Sequence, residues 1–130
     1  MHRRTTTVED VMTTALTTIH AKEPIESADL EMQLADIRHI PVVGDHDRLV
    51  GILSHRDLLR SLGGPHGRAI ADIMTRQVHT VRASDPARRA VDLLLEYKIG
   101  CVPVLGDEGQ LVGIVTETDF LRVARASLRD

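Results

Sequence analysis

The chain has 130 residues, of which 42% are hydrophobic and 27% charged, and its formal net charge is −3. That length supplies one ordinary domain, and the composition is typical of a chain that folds. With one Tyr, one Phe and no Trp, the chain offers no surface for stacking nucleic-acid bases. Acidic and basic residues are mixed, which argues against a protein that follows a nucleic-acid backbone. We therefore expect no nucleic-acid partner.

Cys101 is the only cysteine, which excludes an internal disulfide framework and a cysteine-rich zinc cluster. A lone cysteine suits a reducing compartment. No apolar run follows the charged first residues, so no secretory signal is expected. No apolar stretch approaches the roughly 20 residues of a membrane helix. These features predict a cytoplasmic protein without a membrane partner.

An internal repeat organises the sequence. Shifted by 62 residues, residues 8–60 fall on 70–122 without a gap, and many glycines, prolines and aspartates coincide. Pro24 falls on Pro86, for example, and Asp57 falls on Asp119. We place a first repeat at residues 8–62, a Gly- and Pro-rich linker at 63–69 and a second repeat at 70–125.

In chain order, each copy predicts a short strand, a helix, two strands joined by a turn, and a closing helix. The strands lie near Ile19 and at 40–43 and 49–53, and near Val81 and at 102–105 and 111–115. The first helix begins at Pro24 or Pro86, where proline is favoured. Its predicted buried face is formed by Ile25, Ala28, Met32 and Ala35, or by Ala87, Ala90, Val91 and Leu94.

The closing helix begins at Ser54 or Thr116, and its apolar residues are Leu58, Leu59 and Leu62, or Phe120, Leu121 and Ala124. A glycine inside the preceding strand of each copy suggests close backbone approach. The predicted fold class is α/β (α+β), with two β-α-β-β-α repeats packed as a pseudo-twofold pair. Because about 55 residues cannot easily bury a core alone, we expect the copies to share one aliphatic core.

The strand-to-helix junctions at 51–57 and 113–119 are the most informative segments. A helix N-terminus exposes free N–H groups and a partial positive charge, which suit a phosphate. The hydroxyl of Ser54 or Thr116 can add a donor, and the carboxylate of Asp57 or Asp119 can accept hydrogen bonds from two hydroxyl groups of a ligand. The same Ser/Thr-x-x-Asp spacing is also a helix capping box that needs no ligand. Spacing alone leaves both interpretations open.

The repeated pattern Asp-h-Met-Thr, h-Pro-Val and Gly-h-h-Ser/Thr-x-x-Asp, where h is apolar, resembles the CBS domain, named after cystathionine β-synthase. Two copies in tandem form a CBS pair, or Bateman module, and the resemblance covers residues from about 8 to 125. It implies a non-catalytic regulatory or sensor module that binds AMP, ADP, ATP or S-adenosylmethionine and requires no cofactor. It also implies a homodimer that regulates an attached or separate protein.

By resemblance, Asp57 and Asp119 contact the ribose, and the adenine lies between an apolar strand and the segment that follows the Met-Thr pair. For the first site this nominates Thr14, Leu16, His39, Ile40, Pro41, Ser54, His55, Arg56 and Asp57. For the second it nominates Arg76, Val78, Val102, Pro103, Thr116 and Asp119. Taken singly, Leu16, Ile40, Val78 and Val102 also suit ordinary core positions.

The two sites differ in charge. His55 and Arg56 favour a phosphate at the first site, because basic groups form charge-assisted hydrogen bonds to it. Glu117 should repel a phosphate at the second site, unless Arg76 or Arg122 offsets it. We therefore expect phosphorylated ligands to prefer the first site, although each arginine would also suit an ordinary solvated helix face.

Two rival functions remain. One is a structural dimerisation module without a ligand. The other is a small metal-binding protein or enzyme built on the seven histidines, in which His39, His55 and Asp57 would meet. No pair of histidines has helical metal-site spacing, and no nucleophile elbow, Walker loop or dinucleotide fingerprint is present. Cys101 is expected to be a small buried residue. We therefore predict no catalytic residues, no metal site and no enzymatic activity.

Overall fold

Each sequence repeat supplies most of one structural unit in the computed structural model, which describes residues 5–65 and 67–129. One unit runs from Thr17 to Val78, and the other combines the chain up to Leu16 with the chain from His79 onward. The elements of the first repeat are α1 (Val8–Val11), β1 (Ile19–His20), α2 (Ile25–Ala35), β2 (His39–Val43), β3 (Leu49–Ser54) and α3 (His55–Ser61). Those of the second are β4 (Val81–Arg82), α4 (Ala87–Tyr97), β5 (Cys101–Leu105), β6 (Leu111–Thr116) and α5 (Glu117–Ser127). Single 3₁₀ turns cover Asp45–Asp47 and Ile70–Asp72.

Each unit contains a three-stranded sheet, in the order β1-β2-β3 or β4-β5-β6. The first pair of strands is parallel and the second is antiparallel in both sheets. The α/β class and the β-α-β-β-α order predicted for each copy are therefore confirmed. The short α1 and the turn at Ile70–Asp72 precede this pattern and were not predicted.

A proline lies inside the central strand of each sheet without the loss of a ladder hydrogen bond. Pro41 lies opposite Ile52 of β3, but both backbone groups of Ile52 bond to Thr75 on the other side, at 2.9 Å. The backbone nitrogen of Pro41, which carries no hydrogen, points away from β3 and toward the side of β2 on which β1 lies. On that side, β1 pairs only with Val42 and Val43, so Pro41 is not required to donate a hydrogen bond. The second unit repeats this arrangement with Pro103 and Ile114. Proline is tolerated in a strand where no hydrogen bond is required of it.

The leading segments of the two repeats are exchanged between the units. Thr13 pairs with Ile114 of β6, and the N–H of Val8 donates to the carbonyl of Asp85 at 2.8 Å. In the other unit, Thr75 pairs with Ile52, and the N–H of Ile70 donates to the carbonyl of Glu23 at 2.8 Å. Each spatial unit therefore contains the leading segment of the other sequence repeat.

Each unit has an aliphatic cluster of its own, so the prediction of one shared core is wrong. The Thr17–Val78 unit buries Ile19, Ala28, Met32, Ile40, Val42, Leu53, Leu58, Ile70 and Met74 together. The other unit buries Val8, Val81, Ala90, Leu94, Val102, Val104 and Val115. The exchanged segments explain the difference, because each adds buried side chains that the adjoining repeat lacks.

The helices follow the predicted periodicity with local differences. Pro24 and Pro86 are N-caps with extended ψ angles of 152° and 138°, one position before the helical residues begin. In α4, Ala87, Ala90 and Leu94 are buried as predicted and Val91 is half-buried.

Several predicted apolar contacts are absent. Ala35 is exposed at the end of α2, and Leu62 lies beyond the end of α3 with 70% of its surface exposed. Leu59 and Leu121 are 52% and 67% exposed. The closing helices therefore turn only part of their apolar surface inward. Within the described residues, no helix has the length and apolar character needed to cross a membrane.

Candidate functional site

The junction between β3 and α3 forms a capping box around Asp57. The N–H of Ser54 donates to Asp57 Oδ2 at 2.9 Å, and the N–H of Asp57 donates to Ser54 Oγ at 3.0 Å. These bonds satisfy free N–H groups at the helix start, as the capping interpretation requires. Among the described residues, Asp57 Oδ1 has no hydrogen-bond partner within the protein. The cap therefore uses only one of the two carboxylate oxygens of Asp57.

The junction between β6 and α5 has the same frame but a more fully engaged carboxylate. The N–H and hydroxyl of Thr116 donate to Asp119 Oδ2 at 2.9 Å and 3.3 Å. Oδ1 accepts a 2.8 Å hydrogen bond from Thr13 Oγ1 and lies 3.5 Å from Nη1 of Arg122. Asp119 is only 5% exposed. Both of its oxygens already have partners.

Strand pairing brings the apolar residues that were predicted to line the sites beside these two junctions. His39 pairs with Ser54, and Ile40 and Pro41 follow it on β2, both buried. In the other unit, Val102 and Pro103 are buried on β5, beside the residue that pairs with Thr116. The aliphatic side chains therefore belong to the cores and adjoin the junctions at the same time.

The residues that follow the Met-Thr pairs lie in the opposite units from those that the predicted grouping requires. Thr14 and Leu16 lie in the unit that contains Asp119, whereas Arg76 and Val78 lie in the unit that contains Asp57. The predicted grouping, in which each site takes its own repeat's segment, is wrong. The reason is the strand pairing of Thr13 with Ile114 and of Thr75 with Ile52, which exchanges the two segments.

This exchange sharpens the difference in charge between the sites. His55, Arg56 and Arg76 are exposed in the unit of Asp57. The unit of Asp119 contributes Glu117 at the corresponding helix start. Arg76 belongs to the unit of Asp57, whereas Arg122 lies on the same helix as Glu117, with its Nη1 3.5 Å from Asp119 Oδ1.

Thr13 contacts a candidate site residue, Asp119, and was not among the residues nominated from the sequence. Its position in the repeated Met-Thr pair was visible, but its contact with Asp119 spans 106 residues and depends on the exchange. The two strand glycines gave a usable signal. A Cβ on Gly51 would lie 2.8 Å from the carbonyl oxygen of Thr75, and one on Gly113 would lie 3.1 Å from that of Thr13. The close backbone approach predicted at these glycines is confirmed.

The remaining reactive groups are arranged as structural residues. Cys101 is buried, as predicted, and burial raises the pKa of its thiol to about 12. Such a thiol is inert as a nucleophile at neutral pH. Across residues 5–65 and 67–129, no three His, Cys, Asp or Glu side chains form a group that could hold a metal. The rival cluster of His39, His55 and Asp57 is therefore not assembled.

Comparison with known proteins agrees with these features. The family model of the CBS domain matches residues 8–64 and again 70–126. The chain is 33% identical over 118 residues to L-aspartate semialdehyde sulfurtransferase of Methanocaldococcus jannaschii, a match that covers 91% of this chain and 23% of that protein. The chain thus spans less than a quarter of the length of this curated relative.

Solved structures match over nearly the full chain. The CBS domain pair of protein MJ0100, in complex with 5′-methylthioadenosine and S-adenosyl-L-methionine, has a TM-score of 0.87 at 31% identity, covering 96% of this chain and 100% of that one. CBSX2 in complex with AMP has a TM-score of 0.85 at 30% identity, covering 95% and 99%. With two family matches and this agreement of fold, the chain belongs to the CBS domain family as a tandem CBS pair.

Proposed function

We propose that this chain is a regulatory module that binds an adenosyl ligand at the two junctions and catalyses no reaction. The observation that carries the proposal is the capping box at Asp57, which leaves Oδ1 without a partner among the described residues. A ribose diol donates two hydrogen bonds, and a carboxylate with an open oxygen at a helix N-terminus is suited to accept them. Relatives of the same fold bind AMP, 5′-methylthioadenosine and S-adenosyl-L-methionine.

We assign to the first site Arg76, Val78, His39, Ile40, Pro41, Ser54, His55, Arg56 and Asp57. The second site comprises Thr14, Leu16, Val102, Pro103, Thr116 and Asp119. In this grouping every residue of a site lies in one unit. The apolar residues hold the adenine and the junction holds the ribose and any phosphate. No cofactor is required.

The charges favour different ligands at the two sites. His55, Arg56 and Arg76 attract a phosphorylated nucleotide such as AMP, ADP or ATP to the first site. Glu117 disfavours a phosphate at the second site, where a ligand without phosphate, such as S-adenosylmethionine, is better suited. Because basic residues mark one helix start and Glu117 marks the other, a single chain can respond to two classes of adenosyl compound.

A homodimer supplies the assembly that we propose to transmit the signal. Large apolar side chains remain exposed on the helices, including Leu30, Leu34 and Leu59 in one unit and Leu95 and Leu121 in the other. Exposed apolar surface of this kind favours a protein partner. Ligand binding would change the balance between forms of the dimer, which a regulated protein would recognise. The lone buried thiol of Cys101 suits the reducing cytoplasm.

Calorimetry with AMP, ATP and S-adenosylmethionine tests the proposal on wild type, Asp57→Asn and Asp119→Asn. The asparagine variants keep one acceptor oxygen for the cap but lose the charge and the second acceptor. Asp57→Asn should weaken AMP binding about tenfold or more, the loss of a hydrogen bond to a charged group. Light scattering on the same samples reports whether the chain is a dimer with and without ligand.

Asp72→Asn is the matched control. Asp72 caps a turn in the same unit, accepting from the N–H of Ala69 at 2.9 Å, but is not part of either site. It should leave AMP affinity unchanged. Equal effects of Asp57→Asn and Asp72→Asn would reduce Asp57 to a helix cap. A wild-type chain that binds none of the three compounds would instead support the structural dimerisation module.

A further inference from the structure

The two sites have the same backbone hydrogen bonds, but the aspartate carboxylates of the two sites have different hydrogen-bond partners. Thr13 and Ile114 exchange backbone hydrogen bonds of 2.9 Å and 3.0 Å, and Thr75 and Ile52 exchange two of 2.9 Å. The N–H of the cap residue donates to Oδ2 at 2.9 Å in both junctions. Any difference in ribose binding must therefore come from side chains.

The two aspartates, Asp57 and Asp119, differ in the partners of their Oδ1 atoms. Thr13 Oγ1 donates to Asp119 Oδ1 at 2.8 Å, and Arg122 Nη1 lies 3.5 Å from the same oxygen. At the corresponding positions of the other unit, the described residues include no hydrogen bond from Thr75 or Arg60 to Asp57. The side chain of Thr75 is exposed, whereas Thr13 is half-buried and Asp119 is buried. One carboxylate is open to a ligand and the other is occupied by the chain itself.

Resting on the proposed function, we propose that Thr13 determines ligand affinity at the second site by competing with the ribose for Asp119. Thr13 and Arg122 already take up the two acceptor positions of Asp119 Oδ1. A ribose hydroxyl that bonds to this oxygen must compete with the shorter bond from Thr13, so the net gain is only the difference between two similar hydrogen bonds. At Asp57 a ribose hydroxyl replaces water alone. The threonine hydroxyl thus lowers the affinity of the second site for every adenosyl compound, in addition to any effect of the charge of Glu117.

This competition differs from the charge effect of Glu117, and an uncharged ligand separates the two. Adenosine carries the ribose diol without a phosphate, so its affinity reports the state of the carboxylate. The first site should bind adenosine about tenfold or more tightly than the second, a difference of about 1.4 kcal/mol. The second site should therefore be half filled at an adenosine concentration about tenfold higher than the first.

The experiment compares Thr13→Val with Thr75→Val by calorimetry with adenosine, each in an Asp57→Asn background that weakens the first site. Valine matches the shape of threonine but donates no hydrogen bond. Thr13→Val should raise adenosine affinity at the second site about tenfold, while Thr75→Val leaves that affinity unchanged. Thr13→Ser keeps the hydroxyl and should retain the parent affinity. Thr13→Ala replaces the valine variant if that variant fails to fold.

The unfolding midpoint of Thr13→Val gives a second readout of opposite sign. Loss of a hydrogen bond to a buried carboxylate should lower the midpoint even as ligand affinity rises, and a purely structural role would not produce the gain in affinity. Adenosine binding at Asp57 in the wild type with no gain in Thr13→Val overturns the competition alone. A chain that binds AMP or S-adenosylmethionine but never adenosine, in the wild type or any variant, also overturns the competition alone. A chain that binds none of AMP, ATP, S-adenosylmethionine and adenosine overturns the proposed function together with the competition.

Discussion

Replacing Gly113 with alanine tests the exchange of the leading segments directly. A Cβ at this position would lie 2.6 Å from Met12 Sδ, 3.1 Å from Met12 Cγ and 3.1 Å from the carbonyl oxygen of Thr13. All three atoms belong to a segment about a hundred positions earlier in the chain. Gly113→Ala is therefore expected to strain the contact between β6 and that segment, and to do so through Met12.

The magnitude follows from overpacking. Forcing an extra methyl into a packed interior costs about 1–3 kcal/mol. Alanine also reduces the entropy of the unfolded chain, which offsets about 0.4–1 kcal/mol where the backbone geometry allows it. We expect Gly113→Ala to lower the free energy of unfolding by about 1–2 kcal/mol. Met12→Ala removes two of the three close atoms, so it should relieve most of this cost in the double variant.

Urea unfolding followed by circular dichroism measures these changes, since the chain has no Trp to report by fluorescence. A double-variant cycle should show a coupling of about 1 kcal/mol between Gly113→Ala and Met12→Ala. Met74→Ala is the matched control, because Met74 is the equivalent methionine and lies against Gly51 in the other unit. It should combine with Gly113→Ala additively, within about 0.5 kcal/mol. Coupling of Gly113 to Met74 and not to Met12 would refute the exchange.

Three further predictions concern two single residues. Burial raises the pKa of the Cys101 thiol from 9.0 to about 12. Near pH 8, its reaction with a thiol reagent should therefore be about a thousandfold slower in the folded protein than in the protein unfolded in urea. Equal rates would contradict the burial of this thiol. The same shift implies that the free energy of unfolding falls as pH rises above 9, where the unfolded thiol ionises first. Lys98 ends α4 with φ 52°, so Lys98→Gly should raise the free energy of unfolding by about 1 kcal/mol in urea titrations. An unchanged or lower value would show that no strain is stored there.

The elements of each repeat were predictable because their signals are local. Apolar periodicity placed α2 and α4, and turn residues separated the strand pairs β2–β3 and β5–β6. The predictions of buried helix residues failed at positions where no other element packs against the helix within the described residues. Ala35 and Leu62 are apolar at the expected spacing, but both lie at helix ends where no other element covers them. Periodicity identifies a face that could be buried and does not identify what would bury it.

The candidate site was predictable residue by residue but not as an assembly. The Ser-x-x-Asp and Thr-x-x-Asp spacing indicated Asp57 and Asp119, and the capping boxes at both are present. The equal spacing concealed their difference, since the hydroxyl that occupies Asp119 comes from Thr13. A contact across 106 residues depends on which strand edge the leading segment joins. Two equivalent edges exist in a repeated sequence, and local patterns do not distinguish them.

The sequence by itself determined the repeat, the order of elements, the family and the residue types at both junctions, because each depends on short-range spacing. Only the tertiary structure decided which segment completes which unit. That choice places Val8 in one core, Ile70 in the other, and Arg76 with Asp57 rather than with Asp119. The physical reason is that β3 and β6 each retain an open edge, and a chain segment satisfies that edge with the same two backbone hydrogen bonds wherever it comes from.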